Sequence, residues 1–405
     1  MKIQLVPNSE LSAKIKVLGV GGAGGNAIND MITAQMVGVD FIAANTDAQA
    51  LERSLATVKI QLGPSVTRGL GAGGDPEVGR NATLEEGERL KQVLQGADMV
   101  FIAAGMGGGT GTGGSPVVAE ISRELGALTV AVVSKPFEFE GRMKGRLADH
   151  GIEDLRKVVD TIITIPNDQL FKLSSKNSRI KDVFGMANEV LGFAVRGISD
   201  LIMVPGFVNL DFADVRTVMK ERGMALMGTG IAGGGNRAAD AAHKAISSPL
   251  LEDISIRGAR GILINISAAP DISMEELREI CGIVQEEAHE DAIIKWGLVY
   301  DEALTEEIRV TVIATGIGRK AEAETAVWEA PAPPAPEIEE DLEIPTILRR
   351  GSELPHTGAE GRPQEKRPAA PGLGVVAAKK YIVHPDLQYE ENELDTPPFL
   401  RKADN

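Results

Sequence analysis

The sequence predicts an α/β fold in which helices cover a Rossmann-like parallel sheet, followed by a second, smaller α/β domain and a disordered C-terminal tail. Three observations lead to this prediction. From Lys14 onward, short apolar segments alternate with longer segments of helical period, as in a parallel sheet with crossover helices. A glycine-rich run follows one of the apolar segments, and the composition changes sharply after Gly318.

The first half of the chain contains a series of predicted strands and helices. Asp75 and Pro76 form an N-cap followed by proline at the first helical position, which predicts a helix running toward Gln95. A further helix is predicted to open at Ser115-Pro116, directly after the glycine-rich run. The predicted strands are residues 15–20, 39–44, 99–104, 128–133 and 162–165.

The second half begins with a long predicted helix. Apolar residues keep a 3.6-residue period over 180–198, which predicts a central helix that packs on the core and links two subdomains. Strands are then predicted at 261–266 and 310–314. Ser273 and Glu276 have the spacing of a capping box and predict a helix start between these strands.

Composition excludes several classes of protein. The chain has 58 acidic and 42 basic residues and a net charge of −16, which disfavours binding to nucleic acid or to anionic lipid. Its one cysteine, Cys281, excludes an internal disulfide framework and suits a reducing compartment. Because we find neither a signal segment nor an apolar run long enough to span a bilayer, we expect a cytoplasmic protein without membrane insertion.

The glycine-rich run at residues 105–114 (GMGGGTGTGG) predicts a phosphate-binding loop. Bare backbone allows close approach, its N–H groups attract anions, and a following helix adds the positive end of its dipole. No Lys-Ser or Lys-Thr pair closes the run, so it is not a P-loop. The earlier turn at residues 22–26 also suits a dinucleotide fold, with Asp40 or Asp47 as its ribose-binding acid.

A set of motifs carries a resemblance to a known family. The segment at 107–113 (GGGTGTG) resembles the signature of the tubulin/FtsZ superfamily of GTPases. Five further segments resemble its bacterial cell-division branch in order and spacing, and the resemblance spans about residues 13–318. They are 19–29 (GVGGAGGNAIN), 45–51 (NTDAQAL), 67–80 (TRGLGAGGDPEVGR), 165–168 (IPND) and 209–219 (NLDFADVRTVM).

The resemblance implies a GTP/GDP site with Mg²⁺ held by phosphate and water rather than by a protein metal site. Glu140 corresponds to the family's ribose-facing acid. Lys144 stands where the family usually has arginine, which keeps the charge but loses the planar donor geometry. Arg142 and Arg146 are the alternative cations. The other implied binding residues are Gly22, Ala23, Gly24, Gly25 and Asn26 in the first turn, Gly108, Gly109, Thr110 and Gly111 in the phosphate loop, and Asn167, Phe184 and Asn188 at the guanine.

The phosphate loop has no nearby catalytic glutamine, base or arginine finger in the sequence. The resemblance implies that Asn209, Asp211 and Asp214 supply catalysis by entering the nucleotide site of the next subunit, so that hydrolysis accompanies head-to-tail assembly. Without the resemblance, Asp211 and Asp214 read as first-turn carboxylates favoured by the helix dipole. The resemblance therefore implies a polymerising GTPase of the cytokinetic ring at mid-cell.

The predicted organisation has six parts. Residues 1–12 form an extension, 13–178 the GTP-binding domain, 179–205 the central helix and its connection, and 206–318 the polymerisation domain. Residues 319–394 form a Pro-, Ala- and Glu-rich linker, and 395–405 a partner-binding peptide.

The terminal peptide resembles the family's docking motif for membrane-anchored division adaptors. It begins at Asp395 and its basic pair ends at Lys402 (DTPPFLRK). A second segment aligns with it without gaps, from Glu343 to Arg350 (EIPTILRR), and either raises avidity or recurs by chance.

Two other functions remain open from the sequence. A divergent paralogue would bind GTP and assemble but hydrolyse poorly, which the lysine at 144 favours. A dinucleotide-binding dehydrogenase would use the first glycine turn and leave the second glycine run without a role.

Overall fold

The computed structural model describes residues 13–173, 179–204, 206–220, 223–248 and 258–317. The predictions for residues 1–12, 319–394 and 395–405, and for the peptide at 343–350, lie outside the described residues. Within the described part, no helix is long and apolar enough to cross a membrane.

The first half forms a parallel sheet with helices on both faces, as predicted. Its strands are β1 (Ile15–Val20), β2 (Val39–Asn45), β3 (Val58–Gln61), β4 (Met99–Gly105), β5 (Leu128–Lys135) and β6 (Thr161–Pro166). Its helices are α1 (Gly21–Thr33), α2 (Ala48–Glu52), α3 (Pro64–Thr67), α4 (Pro76–Glu85), α5 (Gly87–Leu94), α6 (Thr110–Glu124), α7 (Arg142–Val158) and α8 (Asn167–Leu173).

The central helix α9 (Ile180–Met203) confirms the predicted helix and extends past residue 198. It is followed by α10 (Phe212–Met219), β7 (Gly223–Gly233), α11 (Arg237–Ile246), β8 (Gly261–Ala268), α12 (Met274–Glu287), β9 (Ile293–Tyr300) and β10 (Glu307–Ile317). Ser273 caps α12 as predicted, because its Oγ accepts from the Glu276 N–H at 3.1 Å while Glu276 accepts from the Ser273 N–H at 2.8 Å.

All described strands join one sheet, in the order β3-β2-β1-β4-β5-β6-β7-β10-β8-β9. Strands β1 to β6 pair in parallel, and β7 joins β6 in parallel over a short register (Thr161 opposite Gly223). Strand β10 is antiparallel to both β7 and β8. The second half is therefore a mixed continuation of the parallel sheet. Strands β3, β7 and β9 were not predicted.

The structure corrects two predicted helices and one predicted turn, at residues 22–26. Helix α6 begins at Thr110, inside the glycine-rich run, rather than at Ser115-Pro116. Its first turns pack so closely on other backbone that a Cβ on Gly113 would lie 1.9 Å from the Pro76 carbonyl oxygen, so the helix needs glycine there. Helix α1 likewise takes in the first glycine turn. The helix after Asp75 breaks at Glu86 into α4 and α5, and both pack on α6.

Candidate functional site

A cavity of about 270 Å³ opens where four parallel strands end. Its lining comes from the last residues of β1, β4 and β5, from residues that follow β1, β4, β5 and β6, and from α9. Open α/β sheets bind ligands at the carboxyl ends of their strands, which is where this cavity lies. The residues that line it are Val20, Gly22, Ala23, Gly105, Met106, Gly107, Gly108, Gly109, Thr110, Gly111, Ser134, Pro136, Glu140, Lys144, Asn167, Phe184, Ala187 and Asn188.

The glycine loop after β4 is held in place by its own hydrogen bonds. The Met106 N–H donates to the Ser134 carbonyl at 2.9 Å, and the Gly107 N–H donates to Thr112 Oγ1 at 2.9 Å. Gly107 has a φ of +96°, a conformation that side chains disfavour. A Cβ on Gly108 would meet nothing within 4 Å. The loop thus presents fixed, bare backbone and the start of α6 to the cavity, which suits an anion.

The cavity lining includes a charged pair, Glu140 and Lys144. Glu140 accepts from the Phe137 N–H at 3.0 Å through Oε1 and from Lys144 Nζ at 3.1 Å through Oε2. Its side chain is largely buried, whereas Lys144 is half exposed. Arg142 and Arg146, the alternative cations, do not line the cavity. Lys144 therefore supplies a positive charge to the cavity, and its hydrogen bond fixes the Glu140 carboxylate.

Asn167 and Phe184, which also line the cavity, suit a flat, polar ring. Asn167 is only 6% exposed, and its Oδ1 is buried without a hydrogen-bond donor among the described residues. Phe184 is 40% exposed and meets Phe137 edge to face, with ring centroids 5.2 Å apart. An unsatisfied buried acceptor is costly, so a ligand that donates to Asn167 would gain from binding here.

The structure brings most of the predicted binding residues to this one cavity, although their role in binding stays a prediction. Gly24, Gly25 and Asn26 do not line it. A Cβ on Gly24 would lie 2.3 Å from the Ala103 carbonyl oxygen, which shows that this glycine serves close packing of α1 on the sheet. Gly25 and Asn26 face a second cavity of about 100 Å³.

Several lining residues were missed in the sequence. Ser134 lies near the carboxyl end of β5 and Pro136 directly follows it, and the rule that ligands bind at the carboxyl ends of parallel strands would have found them. Thr46 does not line the cavity, but it contacts the phosphate loop, which the sequence did not indicate. Its Oγ1 lies 2.6 Å from Thr110 Oγ1, and no local pattern joins residues so far apart in the chain.

The three catalytic candidates lie outside the cavity, at the start of α10. Asp211 is the N-cap, and its Oδ1 accepts from the Asp214 N–H at 2.6 Å. Asn209 Oδ1 accepts from the Gly206 N–H at 2.7 Å and shapes the preceding loop. Asp214 Oδ1 lies 2.7 Å from Lys295 Nζ on β9. Asp214 thus lies in the first turn, as expected without the resemblance, whereas Asp211 is the N-cap that precedes it.

The cavity and α10 meet β6 at opposite ends. Thr161, the first residue of β6, donates its hydroxyl to the Met219 carbonyl at the end of α10. Asn167, directly after the last residue of β6, lines the cavity. One chain therefore does not bring its own carboxylates to its own cavity.

Metal ligands are sparse. Within the described ranges, no group of three or more His, Cys, Asp or Glu residues is placed to hold a metal ion. The Glu140 carboxylate in the cavity already accepts two hydrogen bonds.

Comparison with known proteins identifies the fold and its relatives. Residues 14–175 match the family model for the GTPase domain of the Tubulin/FtsZ family, and residues 223–318 match the C-terminal domain of the FtsZ family. The chain is 48% identical to the cell division protein FtsZ of Pseudomonas aeruginosa, over 98% of this chain and 99% of the relative. It is 53% identical to that of Coxiella burnetii, over 78% and 82%.

Solved structures agree with these matches. An empty FtsZ dimer of M. jannaschii superposes with a TM-score of 0.73 at 44% identity, covering 78% of this chain and 93% of that one. CetZ1 from Haloferax volcanii, a GDP-bound monomer, has a TM-score of 0.66 at 19% identity, covering 76% and 95%. The second likeness concerns the fold alone.

Proposed function

Because this chain belongs to the tubulin/FtsZ family, we propose that it hydrolyses GTP while assembling head to tail into the filaments of the cytokinetic ring. The matched GTPase domain identifies it as a GTPase. The observation that carries the proposal is the separation of two half-sites on one chain, a cavity at one end of β6 and a carboxylate loop beyond the other. A second copy completes such a site.

GTP and GDP would bind in this cavity. The polyphosphate would lie against the bare backbone around Gly108 and the start of α6, where N–H groups and the helix dipole attract negative charge. Glu140 would accept from the ribose hydroxyls. Asn167 Oδ1 would accept from a guanine N–H, which would satisfy its unpaired oxygen, and Phe184 would stack on the base.

Mg²⁺ fits as an ion carried largely by the nucleotide. Phosphate and water oxygens suit its octahedral coordination, and the described residues offer no carboxylate cage. When bound, it supplies charge neutralisation on the phosphate oxygens. The protein's own part is to hold the phosphates with backbone N–H groups.

We assign catalysis to Asn209, Asp211 and Asp214 of the neighbouring subunit. Asp214 would accept a hydrogen bond from the attacking water and orient it toward the terminal phosphate. Asp211 sets the start of α10, and Asn209 folds the loop that carries both acids. Each subunit would thus supply the nucleotide site to one neighbour and the carboxylates to the other, so turnover would require assembly.

Exposed apolar side chains support the same contact. Phe139 is 64% exposed and Met143 66% exposed, and both lie in the segment that carries Glu140 and Lys144. Phe207 is 70% exposed beside the Asn209 loop, and its ring centroid lies 6.1 Å from that of Tyr300. Clusters of exposed apolar residues are typical of interaction surfaces. A head-to-tail contact that does not close produces an open filament.

The test combines light scattering with phosphate release across a dilution series with GTP, GDP and ATP. We expect scattering with GTP alone, and specific activity that rises above a threshold concentration. Asp214→Asn should keep GTP affinity below that threshold and lose turnover while its filaments persist. Loss of GTP affinity in Asp214→Asn would contradict the assignment of this residue to the neighbouring site.

A second candidate is an assembling paralogue that hydrolyses poorly. Lys144 in place of the usual arginine favours it, because its ammonium is already bonded to Glu140. This candidate predicts scattering without phosphate release and recovery of turnover in Lys144→Arg. If the native protein and Lys144→Arg both hydrolyse about one GTP per subunit in each assembly cycle, this candidate is excluded.

We propose that the terminal peptide from Asp395 to Lys402 tethers filaments to a membrane-anchored division adaptor. Glu343 to Arg350 would act as a second docking peptide and raise avidity through effective concentration. Deletion of residues 395–405 should spare assembly and abolish recruitment to adaptor-bearing vesicles. Deletion of 343–350 should weaken recruitment, and unchanged recruitment would exclude the second peptide.

The six-part organisation from residues 1–12 to 395–405 remains part of this proposal, as does a cytoplasmic location at mid-cell. Support comes from the family matches, which fall inside 13–178 and over most of 206–318. A fluorescent fusion that forms mid-cell bands, and loses them when residues 395–405 are removed, would support both.

A further inference from the structure

The amino group of Lys295 lies 2.7 Å from Asp214 Oδ1, and about a third of each side chain is exposed. Lys295 belongs to β9, the last strand of the sheet order, whereas Asp214 belongs to the first turn of α10. We propose that Lys295 is a positioning residue for Asp214 in GTP hydrolysis. This inference rests on the proposed role of Asp214 in the neighbouring subunit's site.

The partner of Asp214 differs in kind from those of its neighbours. Asp211 and Asn209 accept from backbone N–H groups only three residues away, and these bonds shape the loop itself. Lys295 comes from another element. The direction of the Asp214 carboxylate therefore depends on where β9 lies, and not on the loop alone.

Strand β9 also holds the loop's backbone. The Leu298 N–H donates to the Val208 carbonyl at 2.9 Å, and the Phe207 N–H donates to the Leu298 carbonyl at 2.9 Å. Lys295 is in turn fixed by its register opposite Leu263 on β8. One strand thus anchors both the backbone that leads into the carboxylate loop and the side chain of Asp214.

The ion pair has two consequences for a carboxylate that acts on a triphosphate. It occupies Oδ1 and leaves Oδ2 without a donor among the described residues, so a single defined oxygen is available to a water molecule. It also places a positive charge beside an acidic loop that must approach a polyanion. A partly exposed pair adds little to stability, so its main effect is on orientation and local charge.

The experiment compares Lys295→Met and Lys295→Arg, each in the native protein and together with Asp214→Asn. Lys295→Met keeps the apolar stem and removes the charge. Lys244→Met is the matched control, because Lys244 Nζ donates to a backbone carbonyl, that of Ile231, at 3.0 Å. Three quantities are measured in the full chain: turnover per assembled subunit at saturating GTP, GTP affinity below the assembly threshold, and melting temperature.

We expect Lys295→Met to lower turnover by roughly tenfold or more through misplacement of the acid. GTP affinity should stay unchanged, because Lys295 does not line the cavity. Lys295→Arg should recover turnover to within about threefold, since it keeps a positive charge that can pair with Asp214. In the Asp214→Asn background, Lys295→Met should cause no further loss.

Two results would overturn the inference. Unchanged turnover in Lys295→Met, or a loss that persists in full in the Asp214→Asn background, would show that Lys295 does not act through Asp214. If Lys295→Met lowers the melting temperature, Lys295→Gln provides the same comparison in a polar side chain. Normal turnover in Asp214→Asn would instead refute the proposed function, which keeps the two failures distinct.

Discussion

Replacing Asn167 with leucine should change two measured quantities in opposite directions. In the nucleotide-free protein, Asn167 Oδ1 is buried without a donor among the described residues, and the side chain is 6% exposed. Leucine has a similar size and removes the unpaired acceptor. The same change removes the acceptor that we assign to the guanine base.

The magnitudes follow from the cost of a buried polar atom. An unsatisfied buried acceptor costs about 1–3 kcal/mol, so Asn167→Leu should raise the free energy of unfolding of the empty protein by about 1 kcal/mol. The loss of one hydrogen bond to bound GTP should cost about 1.4 kcal/mol, which corresponds to roughly a tenfold rise in Kd.

Chemical denaturation of the nucleotide-free protein gives the first quantity, and competition against a fluorescent guanine nucleotide below the assembly threshold gives the second. Thr164→Val is the matched control. Thr164 Oγ1, on the same strand β6, is also buried without a partner in the described residues, but Thr164 does not line the cavity. It should gain stability and keep its GTP affinity.

Unchanged GTP affinity in Asn167→Leu would refute the assignment of this oxygen to the base. A loss of stability in the empty protein would show that water or another group already satisfies Oδ1. If Thr164→Val also lost GTP affinity, the loss would come from a change in strand β6 as a whole. That result would refute the assignment of Asn167 Oδ1 to the guanine base as the cause.

Three further predictions test the loop and the charges. Gly111→Ala places a Cβ 2.4 Å from the Gly105 carbonyl oxygen and should lower the free energy of unfolding by about 2 kcal/mol. A Cβ on Gly108 meets nothing within 4 Å, so Gly108→Ala should lower GTP affinity alone. Equal melting temperatures of these two variants would contradict this prediction. The hydrogen bond from the Arg237 guanidinium lowers the pKa of Glu276 from 4.5 to about 2, so the stability of the native protein should fall as the pH drops through that range. Glu276→Gln should be about 2 kcal/mol less stable at pH 7. In acid denaturation, this variant should not show the fall. Burial raises the pKa of Asp200 from 3.8 to about 6, so the stability of the native protein should fall as the pH rises between these values. Asp200→Asn should remove this pH dependence. In urea unfolding at pH 7, it should raise the free energy of unfolding by about 2 kcal/mol.

Local patterns in the sequence were sufficient for much of the fold. The strands around β1 and β4, the period of α9 and the capping box at Ser273 depend on residues close together in the chain, and the structure confirms them. The start of α6 was wrong, because glycine and proline are poor helix formers. Only the contact with the Pro76 carbonyl explains why glycine is required in that helix.

The candidate site divides in the same way. The sequence by itself predicted the glycine-rich loop, because the chemistry of that motif is local, whereas the roles of the acid at 140 and of the loop at Asp211 were implied by the resemblance to the family. Tertiary structure decided what those motifs face: it assigned Gly24 to packing, left Asn167 with an unpaired oxygen, and joined Asp214 to Lys295. These facts depend on sheet register and helix packing between distant segments, which local periodicity does not encode.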